Sequence, residues 1–235
     1  MVGLAGSGLL QAQGLDVGSG AVNQLTEQQL ADAMGISSEA SALWLPHVHT
    51  ALTLCKCSTP VTVAQWIAQI REESAGMTRL RESLDYSVDA LLLKFGRHRI
   101  SEEDARAFGR TPTRPANQRQ IAMRIYGGEW GRKNLGNRIG TSDPWDRIGR
   151  GLPQVTGLAN YIECGQVIGI DLERDPSALE LRSTGAAATQ WVWDKHDLTR
   201  YGGDVESVTR KINGGVNGLA KRQAWYDKAL SVLAG

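Results

Sequence analysis

Residues 68–87 read AQIREESAGMTRLRESLDYS, and the fold turns on how this stretch is parsed. Upstream, from about Val61, the residues Val63, Ile67 and Ile70 recur at helical spacing, so the spacing predicts a helix with one apolar stripe that continues to Ser74. Glu72 and Glu73 close that helix, Ser74-Ala75-Gly76 breaks it, and Glu82 and Asp85 follow within a short span. Were residues 73 to 82 continuous helix, nine residues at 1.5 Å would separate the two glutamates by roughly 13.5 Å, on opposite faces. A turn at Gly76 is therefore required if Glu73 and Glu82 are to face one cleft. The ordinary reading of such a cluster is a solvated, salt-bridged surface. The chemical reading is a pair of carboxylates for acid–base work.

Working outward, the rest of the chain is also helical. Thr26 and Gln29 form a capping box ahead of Leu30, Ala33 and Met34, with Gly35 as the stop. Ser38 caps a second helix over residues 40–45, which Pro46 kinks or ends. Further helices are expected over 88–96, 102–108 (capped by Ser101), 118–126, 158–168, 176–181, 186–193, 205–212 and 219–233. Strands are hard to find. Residues 127–153 are Gly-rich and charged and read as one long functional loop. The expected architecture is mainly α, with residues 1–24 a flexible, Gly/Ser-rich lead and 25–235 a single domain onto which the helices of 25–60 pack.

Composition narrows the partners. The 235 residues are 41% apolar, enough to bury a real core, and 26 basic against 25 acidic side chains leave a net charge of +1. The balance is uneven: residues 1–70 hold one basic and four acidic side chains, while residues 71–150 hold 16 and 11. A polyanionic polymer would be met in that middle segment. Residues 25–53 can be parsed as a helix-turn-helix, but they are acidic where a DNA reader is basic, so no nucleic acid is expected as a partner. Cys55, Cys57 and Cys164 are odd in number, and the first two are too close for a good mutual disulfide, so they read as reduced thiols. His47, His49, His98 and His196 complete no metal-ligand spacing with them, and no metal or other cofactor is expected. The opening residues lack the basic start of a secretion signal, and no run is long and apolar enough to span a bilayer, so no stable membrane insertion is expected.

Two further blocks carry polar groups. In residues 145–161, WDRIGRGLPQVTGLANY, the glycines Gly149, Gly151 and Gly157 let backbone approach a ligand, and Gln154, Thr156 and Asn160 offer groups suited to orienting water and binding acetamides. A phosphate loop is the rival, but the Lys-Ser/Thr ending is missing, as are the third glycine and preceding strand of a dinucleotide site. In residues 209–226, TRKINGGVNGLAKRQAWY, Asn213-Gly214-Gly215 makes a tight turn between two helices.

These three blocks, in this order, resemble glycoside hydrolase family 19, the chitinase-like fold of plant chitinases and many phage endolysins. The resemblance runs over about residues 25–230, and IAMRIYGGEWG (121–131) belongs to it as part of the cleft segment. It implies a mainly α, lysozyme-like, two-lobed fold with a central substrate cleft and long loops. It also implies an inverting mechanism in which Glu73 is the general acid, Glu82 the general base and Thr156 a holder of the nucleophilic water. Gln154, Asn160 and Asn213 match sugar-binding positions, Trp145 an aromatic cleft residue, and Arg222 a basic residue near the second carboxylate. Departures include Glu72 where His is common, Met77 for Phe, Asp85 for Asn, Pro144 and Asp146 in the cleft segment, and Ile148 for a basic residue; Asp85 is thereby a possible alternative base.

Without an evident export signal or paired cysteines, the chain resembles the compact phage or prophage members. The implied function is a lysozyme-like endolysin that hydrolyses β-1,4 bonds of peptidoglycan glycan strands and lyses the host cell. It would act as a monomer, accumulating in the host bacterial cytoplasm and reaching the wall in the periplasm once a holin opens the inner membrane. The alternative is a chitinase acting on β-1,4-linked N-acetylglucosamine polymers.

Overall fold

In the computed structural model, residues 25–234 are described; the lead expected over 1–24 lies outside them. Helix α1 (Glu27–Met34) opens on the expected capping box: Thr26 Oγ1 accepts from Gln29 N at 3.2 Å, and Gln29 Oε1 accepts from Thr26 N at 3.0 Å. It stops at Gly35, whose φ of +65° and close approach to the Trp225 ring both exclude a side chain.

Helix α2 (Ser38–Leu54) corrects one expectation. Its cap is Ser37, not Ser38, and Pro46 lies inside it rather than ending it. Pro46 is on the exposed face, where water can satisfy the carbonyl its missing N–H leaves open. Trp44, Val48, Ala51 and Leu52 meanwhile bury the opposite face on both sides of it, and that packing outweighs the local cost.

Helix α3 (Pro60–Glu73) is more deeply set than an amphipathic stripe implies: every residue from Val63 to Ile70 is buried, Gln65 and Gln69 included. A helix apolar on one side can be buried all round only if its polar side chains find partners. Gln65 donates to Asp204 O, Trp66 Nε1 to Thr189 Oγ1 and Gln69 Nε2 to Thr209 Oγ1, at 3.2–3.3 Å.

Five short helices follow: α4 (Val88–Lys94), α5 (Glu102–Phe108), α6 (Gln118–Ile125), α7 (Gly128–Leu135) and α8 (Asp143–Asp146). The last two fall within the stretch expected to be one long loop. Gly136, in the left-handed conformation, caps α7, and Pro144 starts α8, so a Gly-rich composition concealed ordinary helix boundaries. After them come α9 (Leu158–Ile168), a 3-10 turn (Pro176–Glu180), α10 (Arg182–Ala187), α11 (Thr189–His196), a second 3-10 turn (Leu198–Tyr201), α12 (Val205–Asn213) and α13 (Leu219–Ala234). Residues 186–193, expected as one helix, divide between α10 and α11 at Ala188, where buried Thr189 turns its hydroxyl to Ala186 O at 2.7 Å.

The apolar side chains form two clusters. The larger unites α1–α3 with α9–α13; the smaller gathers Leu84, Leu91, Ile100, Ala105, Ile121, Ala122 and Ile125 from α4–α6 and their flanks, with Ile148 from the segment after α8. The fold is thus mainly α and two-lobed, and among the described residues β pairing is limited to isolated bridges. Met77 belongs to the larger cluster and Leu84 to the smaller; Ile148 belongs to the smaller and Leu152 to the larger. The chain crosses between clusters at these two places, and the crossings are laced together. Glu82 N donates to Gly149 O at 2.8 Å, Gly151 N to Leu80 O at 2.9 Å, and Arg81 bridges Arg150 antiparallel. The site is built on that junction.

Candidate active site

The break after α3 is sharper than one glycine. Ala75, Gly76 and Met77 have φ values of 50°, 69° and 62°, three left-handed residues in succession. The two with side chains each cost about 1–2 kcal/mol there. Burial of Met77 in the larger cluster and the hydrogen bond from Met77 N to Ser74 Oγ at 2.9 Å hold the turn in place. Its effect is to leave Glu73 at the end of a rigid helix while the following strand-like segment carries Glu82 to the junction.

Glu73 is partly buried and ion-paired: Arg222 Nη2 on α13 donates to its Oε1 at 2.5 Å. The same guanidinium donates through Nη1 to Gln69 Oε1 at 2.5 Å, and Gln69 is tied in turn to Thr209 on α12. The sequence reading placed Arg222 near the second carboxylate. It pairs with the first, because α13 lies along α3 and meets it at its C-terminal end. With 5% of its surface exposed, Arg222 stands behind Glu73 and orients it. Asn213, the last residue of α12, donates to Asn217 O at 3.0 Å; its Oδ1 is buried without a protein partner.

Glu82 is held from two sides. Gly149 N donates to Oε1 at 2.5 Å and the Tyr126 hydroxyl to Oε2 at 2.9 Å. Burial pushes the Glu82 carboxyl above the usual glutamate value of 4.5, while the Gly149 and Tyr126 hydrogen bonds and the Arg150 charge oppose that shift. Arg150 is itself buried, bonded to Glu180 at 2.6 Å and to Asp146 O and the Tyr161 hydroxyl, so the segment carrying Gly149 is fixed.

Gly149 explains why Gln154 and Thr156 belong to this group. A Cβ built there would lie 3.1 Å from Gln154 Oε1, 3.3 Å from Thr156 Oγ1 and 3.4 Å from Glu82 Cβ. The three side chains converge on the Gly149 backbone so closely that a side chain there would have to displace them. Gln154 is fixed by bonds from its Nε2 to Gly151 O and Arg79 O, and Asn160 Nδ2 braces Thr156 O at 2.8 Å. Beside them opens a cleft of about 790 Å³ with Glu82, Trp145, Arg81 and Gln118 in its wall.

The structure thus brings together Glu82, Gln154, Thr156 and Asn160, with Trp145 in the adjoining wall, and separately couples Glu73 to Arg222. Asp85 stands apart: it is exposed and paired with Arg110 at 3.3 Å. Tyr126 and Gly149 were not singled out as partners of Glu82 from the sequence. Both lie within segments already marked as part of the cleft, but nothing in a linear pattern pairs positions 82, 126 and 149.

No protein-family model matches the chain. It is 35% identical, over 181 residues, to a glycosyl hydrolase family 19 domain-containing protein of Haemophilus influenzae, a match covering 75% of this chain and 82% of the relative. Among solved structures it is similar to a mutant of chitinase C, with a TM-score of 0.55 at 14% identity, over 93% of this chain and 95% of the other.

Proposed function

The chain belongs to glycoside hydrolase family 19, and from that premise we propose that it hydrolyses β-1,4 bonds in the glycan strands of bacterial peptidoglycan by single displacement with inversion. Glu73, in its protonated form with the proton on Oε2, the oxygen that Arg222 does not bind, protonates the glycosidic oxygen. Glu82 removes a proton from a water that attacks the opposite face of the sugar. The observation that carries this reading is the convergence of Glu82, Thr156 and Gln154 on the Gly149 backbone, which sets a hydroxyl and an amide beside the carboxylate that would accept the proton of water. A base must be ionised when substrate arrives, and two donors on the Glu82 oxygens favour that form, while burial makes the carboxylate a stronger base than one in water. Asp85, neutralised by Arg110 at the surface, is the poorer candidate.

The biological role proposed is that of an endolysin: a monomer that gathers in the host cytoplasm and reaches the wall after a holin opens the inner membrane. Among the described residues no helix is long and apolar enough to cross a membrane. A second reading, hydrolysis of chitin-type N-acetylglucosamine polymers, is favoured by the likeness of the fold to that of chitinase C.

Mass spectrometry of products from purified peptidoglycan and from chitin oligomers tests both. Glu73→Gln and Glu82→Gln are each expected to lower turnover by about 10²–10⁴-fold, the usual worth of a positioned acid or base. Near-normal turnover by Glu73→Gln would remove the acid from the scheme. Activity retained by Glu82→Gln but lost in Asp85→Asn would move the base to Asp85.

A further inference from the structure

The wall of the cleft beside Glu82 carries more positive charge than a neutral sugar requires. Its one carboxylate, Glu82, is already occupied by the Gly149 N–H and the Tyr126 hydroxyl. Two arginines, Arg81 and Arg114, line the same cleft. Arg81 reaches Glu180 only at 3.7 Å, because Arg150 holds that carboxylate at 2.6 Å. Its guanidinium instead lies over the Trp145 ring, 5.1 Å from the centroid. Arg114 is exposed, and its Nη2 is anchored on two carbonyls, Arg106 O at 2.6 Å and Gly109 O at 2.9 Å. Among the described residues it has no carboxylate partner, and the rest of its donor fork is unspent.

An arginine fixed by carbonyls on one side and stacked or solvated on the other is prepared to take a carboxylate in the remaining positions. Trp145, beneath the Arg81 guanidinium, lines the same cleft as Glu82, so the charge sits in the wall that a bound strand would meet. We infer that Arg81 and Arg114 form a subsite for a carboxylate carried by the glycan, so that the cleft selects carboxylated over neutral β-1,4-linked N-acetylated strands. The inference rests on the hydrolase reading above and adds the substituent that the cleft recognises. Two sources have this chemistry, the free lactyl carboxylate of a sugar stripped of peptide and the side-chain or terminal carboxylates of an attached peptide.

The test compares kcat/KM on four substrates: intact sacculi, sacculi whose peptides have been removed by an amidase, sacculi whose carboxylates have been converted to amides, and neutral chitin oligomers. Arg81→Gln and Arg114→Gln are expected to lose about tenfold more on the carboxylated substrates than on the two neutral ones, as for loss of one charge-assisted pair at a partly exposed site. A selective loss on stripped strands assigns the lactyl group; a selective loss on intact sacculi assigns the peptide. Because Arg114 also ties down its own loop, unmutated enzyme supplies a second measurement. Its KM should rise with added salt for carboxylated strands and stay flat for neutral ones. Equal losses on all four substrates, with no difference in salt response, would overturn the inference. Failure of the unmutated enzyme to cleave any of the four substrates would instead overturn the hydrolytic reading on which it rests.

Discussion

Tyr126 supplies one of the two hydrogen bonds that hold the Glu82 carboxylate, and its removal isolates what that bond contributes. Burial raises the Glu82 pKa and the Tyr126 donor lowers it, so Tyr126→Phe should raise it further. The acid limb of the kcat/KM profile is then expected to move to higher pH, with about a tenfold loss of activity on that limb, read from rates across pH 4 to 8. An unmoved limb would mean that Glu82 does not govern it. The same shift has a signature in stability. Because the folded value lies above 4.5, wild-type protein gains stability from Glu82 as pH falls through that value and is penalised above it. Glu82→Gln, which has no charge to bury, should therefore melt at or above the wild-type temperature at pH 7. That advantage should vanish as pH approaches 4.5, as thermal melts at the two pH values will show. Gly149→Ala places a methyl 3.1–3.4 Å from Gln154 Oε1, Thr156 Oγ1 and Glu82 Cβ, so that these side chains must shift, and about a 10²-fold loss in kcat is expected from steady-state kinetics.

At the scale of elements, the site depends on how α3 ends and on what packs along it. Arg222 joins Glu73 and Gln69 on α3, while Gln69 reaches Thr209 on α12, so three helices meet through one buried guanidinium. Arg222→Met keeps most of the side-chain volume and removes the charge. It is expected to cost about 2 kcal/mol in denaturant unfolding, less than a fully buried pair because Glu73 retains 24% side-chain exposure, and to lower kcat by freeing the Glu73 carboxylate. A variant with unchanged stability and unchanged kcat would show that this contact neither holds the helices nor aims the acid. Much of this scale was legible in the sequence. The capping box at Thr26 and Gln29, the start of α5 after Ser101, the bounds of α9 and the break after Glu73 follow from local chemistry. The passage of α2 through Pro46 and the helices hidden in residues 127–153 were not legible, because burial on one face and long-range packing decided them against local preference.

For the whole molecule, the inequality of the two apolar clusters has a dynamic consequence. Among the described residues the smaller cluster comprises eight buried residues, five on the short helices α4–α6 and three on the segments beside helices, whereas the larger surrounds α3 on every side. Local opening free energy follows buried apolar contact, so amides of α6 should exchange with solvent faster than those of α3 under native conditions. Hydrogen exchange that found α3 and α6 equally protected would mean that the lobes open only together. Since Glu82 and Gly149 sit where the chain crosses between the clusters, motion of the smaller lobe would alter the cleft without disturbing the Glu73–Arg222 pair.

Much of what makes this chain helical was determined by the sequence alone. Capping residues, apolar spacing and glycine breaks are local, and they also placed a carboxylate on either side of a turn. Only the tertiary structure decided which groups those carboxylates meet. Glu82 meets Tyr126, 44 positions away, and Gly149, 67 positions away; Glu73 meets Arg222 across 149. No local rule pairs such distant residues, because their proximity comes from the packing of α13 along α3 and from two crossings between lobes whose backbones hydrogen-bond to each other.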